Sequence, residues 1–359
     1  LKPYLDSLTV LRGLFCLWVM LHNYRTIIQD LSFVSDPAFL RDGYLAVDAF
    51  FVLSGFILSY VYEGDFKGGL GTKYRHFMVS RIARIYPLHV FSLLVVLALV
   101  LISFAFFDRS YVSLFDLGDN LSMIYFVAHL GLFHAWGWAE TNSWNTPAWS
   151  ISVEFLCYLL FPLLFMGVRA VCRMWSRGAF AVAAALALMV VPPLVILGGF
   201  DQPSLDVSQD LGVIRGLCGF AGGMFVFQAS RSLPSSDQGL GALLVLLSLY
   251  FLPLMLWETG WLISLFLTPF LILLMARVRL KSGPIERGLI GIGNISYSIY
   301  MLHFIPLLVK ERLFGAMRTD AEIMAMLGVV FGAILIAAMM TNRWIEKPAR
   351  YAIRSRFRT

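Results

Sequence analysis

Four ionisable side chains sit within apolar runs of this 359-residue chain, where charge is costly: His22 in LRGLFCLWVMLHNY, Asp48 in LAVDAFFVLSGF, Glu154 in SISVEFLCYLL and His303 in SIYMLHFIPL. An ionisable group in the middle of a membrane-spanning helix costs at least about 2.5–3.5 kcal/mol on insertion scales, so each is a candidate for function. A histidine close to a carboxylate suits general-base activation of a hydroxyl, because imidazole titrates near neutral pH. The plain alternative is a histidine–carboxylate hydrogen bond that only fastens helices together. No metal is expected at His22, His303, His129 or His134, since no two of them have the i, i+3 or i+4 spacing of a helical metal site. Cys16, Cys157, Cys172 and Cys218 show no CxxC spacing and read as packing residues.

A second constellation is basic. Lys73, Arg75, His76, Arg81 and Arg84 crowd what reads as the loop between the second and third apolar runs, ending in RIARIYP. Arg81 and Arg84 are spaced to share one face of a helix. Two guanidinium groups so placed suit a polyphosphate, because arginine grips phosphate oxygens in pairs; the plain alternative is a topological signal or contact with lipid headgroups. No Walker or Rossmann glycine pattern occurs, and the GGLG after Lys67 reads as an ordinary loop, so nucleotide hydrolysis is not expected. Trp136, Trp138, Trp144 and Trp149 form either an aromatic interface belt or a platform for a sugar ring.

The elements that must hold these residues are membrane helices. Hydrophobic residues make up 59% of the chain and charged ones 14%, with a mean hydropathy of +0.77; soluble domains carry about a quarter charged residues. The expected fold is an all-α integral membrane protein, one domain over 1–359, with about ten transmembrane helices near 8–28, 44–62, 84–107, 146–168, 179–198, 210–228, 239–256, 261–276, 289–308 and 323–341. Both termini are expected in the cytoplasm. That orientation puts 20 of the 28 Lys and Arg residues on the cytoplasmic side and 6 outside, with Arg12 and Arg215 inside spans. The net charge of +6 is thereby assigned to topology and not to nucleic acid. The segment 112–140 contains LSMIYFVAHLGLFHAW; counted as a span it would invert every later loop, so it reads as an outer-face interfacial helix between spans three and four. The first run lacks a small-residue cleavage site, which argues against a removable signal peptide, and the start at Leu1 suggests that a few natural residues precede it.

Depth then becomes informative. His22 lies about 14 residues from the inner end of its span, roughly 21 Å up at about 1.5 Å per residue, and His303 stands at much the same height. Asp48 and Glu154 fall near the outer starts of their spans. All four are therefore expected in one layer of the outer half, above a basic cytoplasmic layer. An anionic donor inside, an acceptor outside and proton handling between them describe a transferase, and coenzyme A fits the donor: an anionic phosphoadenosine end and a long pantetheine arm.

The motifs LDSLTVLRGLFCLWVMLHNY (5–24), GYLAVDAFFVLSGFILSY (43–60), RIARIYP (81–87), NTPAWSISVEFLCYLLFP (145–162), IRGLCGFAGGMF (214–225), ISYSIYMLHFIPL (295–307) and IEKPAR (345–350) stand in an order that resembles the acyltransferase-3 family, membrane enzymes that O-acylate bacterial surface and exported polysaccharides. The resemblance implies a catalytic base or acyl carrier at the span-one histidine, supported by Arg12. It implies donor binding by Arg81 and Arg84, with Lys73 and Arg75 adjoining. Asp48, Ser54, Glu154, Tyr297 and His303 match motif positions lining the cavity, with Ser54, Tyr297 and Arg12 available to an oxyanion, and Arg215 matches an arginine on the acceptor side. One departure stands out: the family's histidine falls one residue beyond His22, on Asn23. Adjacent helical positions point about 100° apart. A shift of the base to His22, a one-residue register change, and an asparagine substituted for a native histidine at 23, which would leave this chain inactive, all remain open.

The function so implied is transfer of an acyl group, acetyl by expectation, from cytoplasmic acyl-CoA to a hydroxyl of a polysaccharide or its lipid-linked precursor at the bacterial inner membrane, with no metal. Two alternatives are a proton-coupled transporter or flippase using His22, Asp48, Glu154 and His303 as a relay, and a non-catalytic scaffold. Gly212, Gly216, Gly219 and Gly223 permit close helix packing within one chain or between copies, so an oligomer is allowed.

Overall fold

The computed structural model describes residues 5–356 apart from 35–36, 66–70, 107–120, 139–142, 176, 209, 232–238, 281–282, 316 and 318. Lys2, Lys67, Arg109, Lys281, Arg318 and Arg358, used above in the topological count, lie outside the described residues, as do residues 68–70 of the GGLG stretch and residues 112–120.

The chain is helical throughout. The principal helices are α1 (Asp6–Asn23), α2 (Leu45–Tyr62), α3 (Gly71–Phe106), α4 (Met123–Leu130), α5 (Trp149–Met174), α6 (Arg177–Pro193), α7 (Gly212–Ser230), α8 (Gly239–Leu256), α9 (Gly260–Met275), α10 (Pro284–Leu302), α11 (Asp320–Thr341) and α12 (Lys347–Arg356). Among the described residues seven helical stretches are long and apolar enough to cross a membrane, and α8 and α9 are shorter apolar helices. The protein is a multi-pass membrane protein. Helix α1 is not among the seven, since Asp6, Arg12, His22 and Asn23 dilute its apolar residues. It packs along α10 and α2, so protein covers much of the polarity that lipid would reject.

Helix α2 packs along α7, α7 along α6 and α5, α8 along α9, and α10 along α11. Small residues set the closest approaches. A Cβ on Gly223 would collide with the Val52 carbonyl oxygen, and one on Gly55 with that of Phe220, so α2 and α7 touch backbone to backbone. The glycines Gly212, Gly216, Gly219 and Gly223 meet Trp149, Val153, Phe51 and Val52 of the same chain.

Three elements differ from the sequence expectation. Helix α3 is 36 residues long and begins at Gly71, not near 84, so Lys73, Arg75 and His76 ride on an exposed helical extension and not in a loop. Pro87 lies inside it, as membrane helices tolerate where neighbours satisfy the freed carbonyl. Helix α11 does not stop at 341 but passes through a π-helical turn, Asn342–Glu346, into α12. Helix α4 has 8 residues, about 12 Å of length, and cannot cross about 30 Å of hydrocarbon. It exposes Met123, Ile124 and Val127 while burying Ala128 and His129.

Candidate active site

Two cavities occupy the bundle, one toward each end. The first spans about 840 Å³, open in part to the outside, between α1, α2, α3, α5 and α10, with Arg12, Ser54, Arg81, Arg84, Glu154 and Tyr297 among its lining. Its walls are otherwise apolar and aromatic, including Phe50, Phe51, Ile57 and Tyr158. Arg81 and Arg84 face it together, as their spacing on α3 requires. Arg81 donates to the Tyr62 hydroxyl at 3.2 Å and its guanidinium lies 5.4 Å from the Tyr62 ring centre and 5.9 Å from those of Phe77 and Tyr158. Arg84 is ion-paired to Glu346 and lies over the Tyr297 ring at 5.5 Å. Glu346 is fully buried and also binds Arg350, Ser298 and Asn342. The π turn carries this carboxylate inward, a frequent use of such turns. Ser54 donates to Glu154 at 2.6 Å.

The second cavity, about 1340 Å³, is lined by His22, Asn23, Arg25, Tyr44, Trp149, Asp206, Arg215 and Lys310 among others. His22 donates from Nδ1 to the Leu40 carbonyl at 2.9 Å, which leaves the Nε2 lone pair facing Arg25 at 3.0 Å and the Asp206 carboxylate at 3.5 Å. Burial raises the Asp206 carboxyl, but His22, Arg215 and Arg25 beside it hold it below its ordinary value. Arg215 grips Asp48 with two hydrogen bonds, Nε to Oδ1 at 3.0 Å and Nη2 to Oδ2 at 2.8 Å, between the faces of Tyr44 and Trp149. His303 donates from Nδ1 to the Tyr300 carbonyl at 2.7 Å and accepts from the Asn23 amide at 2.9 Å.

The four intramembrane groups thus do not form one cluster: they make four separate pairs, His22 with Asp206, Asp48 with Arg215, Glu154 with Ser54, and His303 with Asn23. Rotation about each helix axis gave them different neighbours. Glu154 belongs to the first cavity, not to the histidine layer. Lys73 and Arg75 are exposed and line neither cavity. Of the four tryptophans only Trp149 lines the second cavity; Trp144 is buried under Phe126, Trp136 donates to the Ser152 carbonyl at 3.0 Å, and the exposed Trp138 stacks on Tyr125. His129 and His134 stack face to face with centroids 3.6 Å apart, a packing arrangement and not converging lone pairs. Asp206, Glu346, Arg25 and Tyr300 were not singled out from the sequence. Asp206 sits in an irregular acidic loop without periodicity, whereas Glu346 stands in a quoted motif, IEKPAR, to which no side-chain role was assigned.

The cavities share two lining residues, Val47 of α2 and Tyr300 of α10. The two cavities therefore adjoin within one bundle, with these side chains between them. A family model described as an acyltransferase domain, acyltransferase 3, matches residues 5–342. The chain belongs to this acyltransferase family. As a family member it is similar to Acyltransferase MdmB of Streptomyces mycarofaciens, 31% identical over 171 residues, which are 46% of this chain and 40% of that protein. It is also similar to YrhL of Bacillus subtilis (strain 168), named provisionally as a peptidoglycan O-acetyltransferase, at 25% over 46% of this chain and 26% of the relative. The peptidoglycan O-acetyltransferase OatA of Listeria monocytogenes is 21% identical over 46% of this chain and 25% of its own length. The chain thus matches well under half the length of these relatives. No solved structure matches it.

Proposed function

We propose that this membrane acyltransferase takes an acyl group, acetyl by preference, from acyl-CoA and places it on a saccharide hydroxyl on the opposite side of a bacterial inner membrane. Both termini and the Arg81 end face the cytoplasm in this reading, in keeping with the basic residues gathered there. The observation that carries it is the pair of cavities meeting at Val47 and Tyr300, one with two arginines, the other with His22. CoA phosphates would meet Arg81 and Arg84, while the apolar wall of the first cavity accommodates the pantetheine arm and excludes water from the thioester. Two of the relatives bear names that specify O-acetylation of peptidoglycan, which makes a cell-envelope saccharide the acceptor to test first.

His22 is the proposed base, the one imidazole that lines either of these cavities among the described residues. Its Nε2 takes the acceptor hydroxyl proton as the oxygen bonds to the thioester carbonyl carbon. The carbonyl electron pair moves to oxygen, where Arg12, which lines the first cavity, would stabilise it. Collapse re-forms the carbonyl and breaks the C–S bond, and the thiolate leaves with the proton held by His22. Asn23 in this scheme orients His303 and is not the base. The test is acetyl transfer from radiolabelled acetyl-CoA by reconstituted protein. H22A is expected to lose about 10²–10⁴-fold in rate, the usual worth of a general base. Undiminished transfer by H22A, or a gain of that size in N23H, would move the base to position 23. Acetyl-CoA-independent, proton-coupled uptake of saccharide would replace the reading by a carrier.

A further inference from the structure

The partition between the two cavities includes two unlike residues that line both. On α2, Val47 lines both cavities, while Phe50, Phe51, Leu53 and Ser54 continue down the first alone. On α10, Tyr300 lines both. Neither side chain is free to swing aside. The Tyr300 hydroxyl donates to the Pro147 carbonyl at 2.9 Å and meets the Ser150 hydroxyl at 2.8 Å, and Phe50 packs edge-on to its ring at 6.2 Å. Val47 is β-branched and in a helix holds one strongly preferred rotamer. Tyr300 is thus pinned from α5 and the turn before it, and Val47 is pinned by its own backbone.

A thioester carbonyl presented from the first cavity can meet a hydroxyl in the second only across this partition. The carbon chain behind that carbonyl must then lie against Val47 and the neighbouring aromatic rings. We propose that Val47, opposite the fixed Tyr300 ring, is the residue that limits the transferred acyl group to a short chain. This rests on the acyl-transfer reading above and adds to it the size class of the group. Apolar pockets discriminate one methylene by about 10–200-fold, so a single methyl-bearing side chain at this point is sufficient to separate acetyl from propionyl and butyryl.

The experiment uses membrane vesicles from the source cells, which hold the natural acceptor, supplied in turn with equal acetyl-, propionyl- and butyryl-CoA. Base-released acids from the saccharide fraction are measured, with vesicles lacking the protein as the blank. V47A is expected to raise propionyl and butyryl transfer relative to acetyl at least tenfold. V47F is expected to lower all transfer at least tenfold while acetyl-CoA binding by the purified protein changes less than twofold, because Arg81 and Arg84 are untouched. An unchanged chain-length ratio in V47A overturns the proposal, and V47A decides alone should V47F fail to fold. Absence of acetyl transfer and of acetyl-CoA binding in the unsubstituted protein would instead remove the acyl-transfer reading itself.

Discussion

At the Arg81 end of the bundle, Arg84 and Arg350 share one buried carboxylate, Glu346, and Arg81 is met by the Tyr62 hydroxyl and three aromatic faces. At the His22 end, Arg215 is matched one to one by Asp48, and His22 lies beside Asp206. The first end therefore lodges surplus guanidinium charge against polarisable rings, whereas at the second the buried guanidinium is balanced by its own carboxylate, with Arg25 and Lys310 standing at the cavity wall. Surplus charge facing a cavity attracts an anion; balanced charge fixes backbone and leaves the chemistry to a group that changes protonation. The two ends hold arginines for different reasons, and substitutions should separate them.

The larger effect is expected at the balanced end, in stability. Asp48→Asn leaves the buried Arg215 guanidinium with an unmatched charge, which typically costs about 3–5 kcal/mol. Thermal unfolding in detergent should show it, and the double variant D48N/R215M should recover part of the loss. A D48N protein as stable as the parent would mean that Arg215 is solvated, contrary to its burial. At the surplus end Arg81→Ala should leave stability nearly intact and act on the donor. Hydrogen bonds to charged groups contribute about 1.5–3 kcal/mol, so acetyl-CoA affinity should fall about 10–150-fold, with the maximal rate little changed. Titration of acetyl-CoA against purified R81A measures this, and an unaltered affinity would reduce Arg81 to an inside-facing charge.

Most of the helical order was legible because apolar runs announce themselves: a helix stands at every one of the segments expected to span. The failures have identifiable causes. Lys73, Arg75 and His76 read as loop because charge was taken for solvent-exposed coil, although nothing in KYRHFMVSRIAR interrupts a helix. The π turn at Asn342–Glu346 has no sequence mark of its own, yet it aims Glu346 at Arg84. Pairing inside the bundle was illegible for a geometric reason. Residue number gives height along a helix, but partners depend on rotation about it, so Asp48 found Arg215 and Glu154 found Ser54 in place of the histidines. Asp206 reaches His22 from a loop, where no periodicity constrains position at all. Tyr300 shows a further limit, since a tyrosine on a packed face reads as core until two cavities are seen to meet on it.

The smallest expected effect contrasts two kinds of histidine. His22 lines a cavity beside Asp206, whereas His129 and His134 stack face to face under α4, with His89 of α3 6.1 Å from each. Burial, reinforced by the neighbouring imidazoles, holds His129 well below its ordinary value and depresses His134 to about 3. Both are therefore neutral when folded at neutral pH. Below about pH 6.5 the unfolded chain takes up protons that the folded stack refuses, so the fold is fully stabilised above that value and weakens as pH falls. For His134 alone, between an ordinary 6.5 and about 3 in the fold, the loss at pH 5 amounts to about 2 kcal/mol. Unfolding temperatures between pH 7 and pH 5 should fall in the parent, and less steeply in H134F, which keeps the stacked ring without the titrating nitrogens. Equal slopes in both would mean that water reaches the stack and the imidazoles titrate as they do in solution. In that case the surface beneath α4 is wet, and its histidines are open to protons from the solvent.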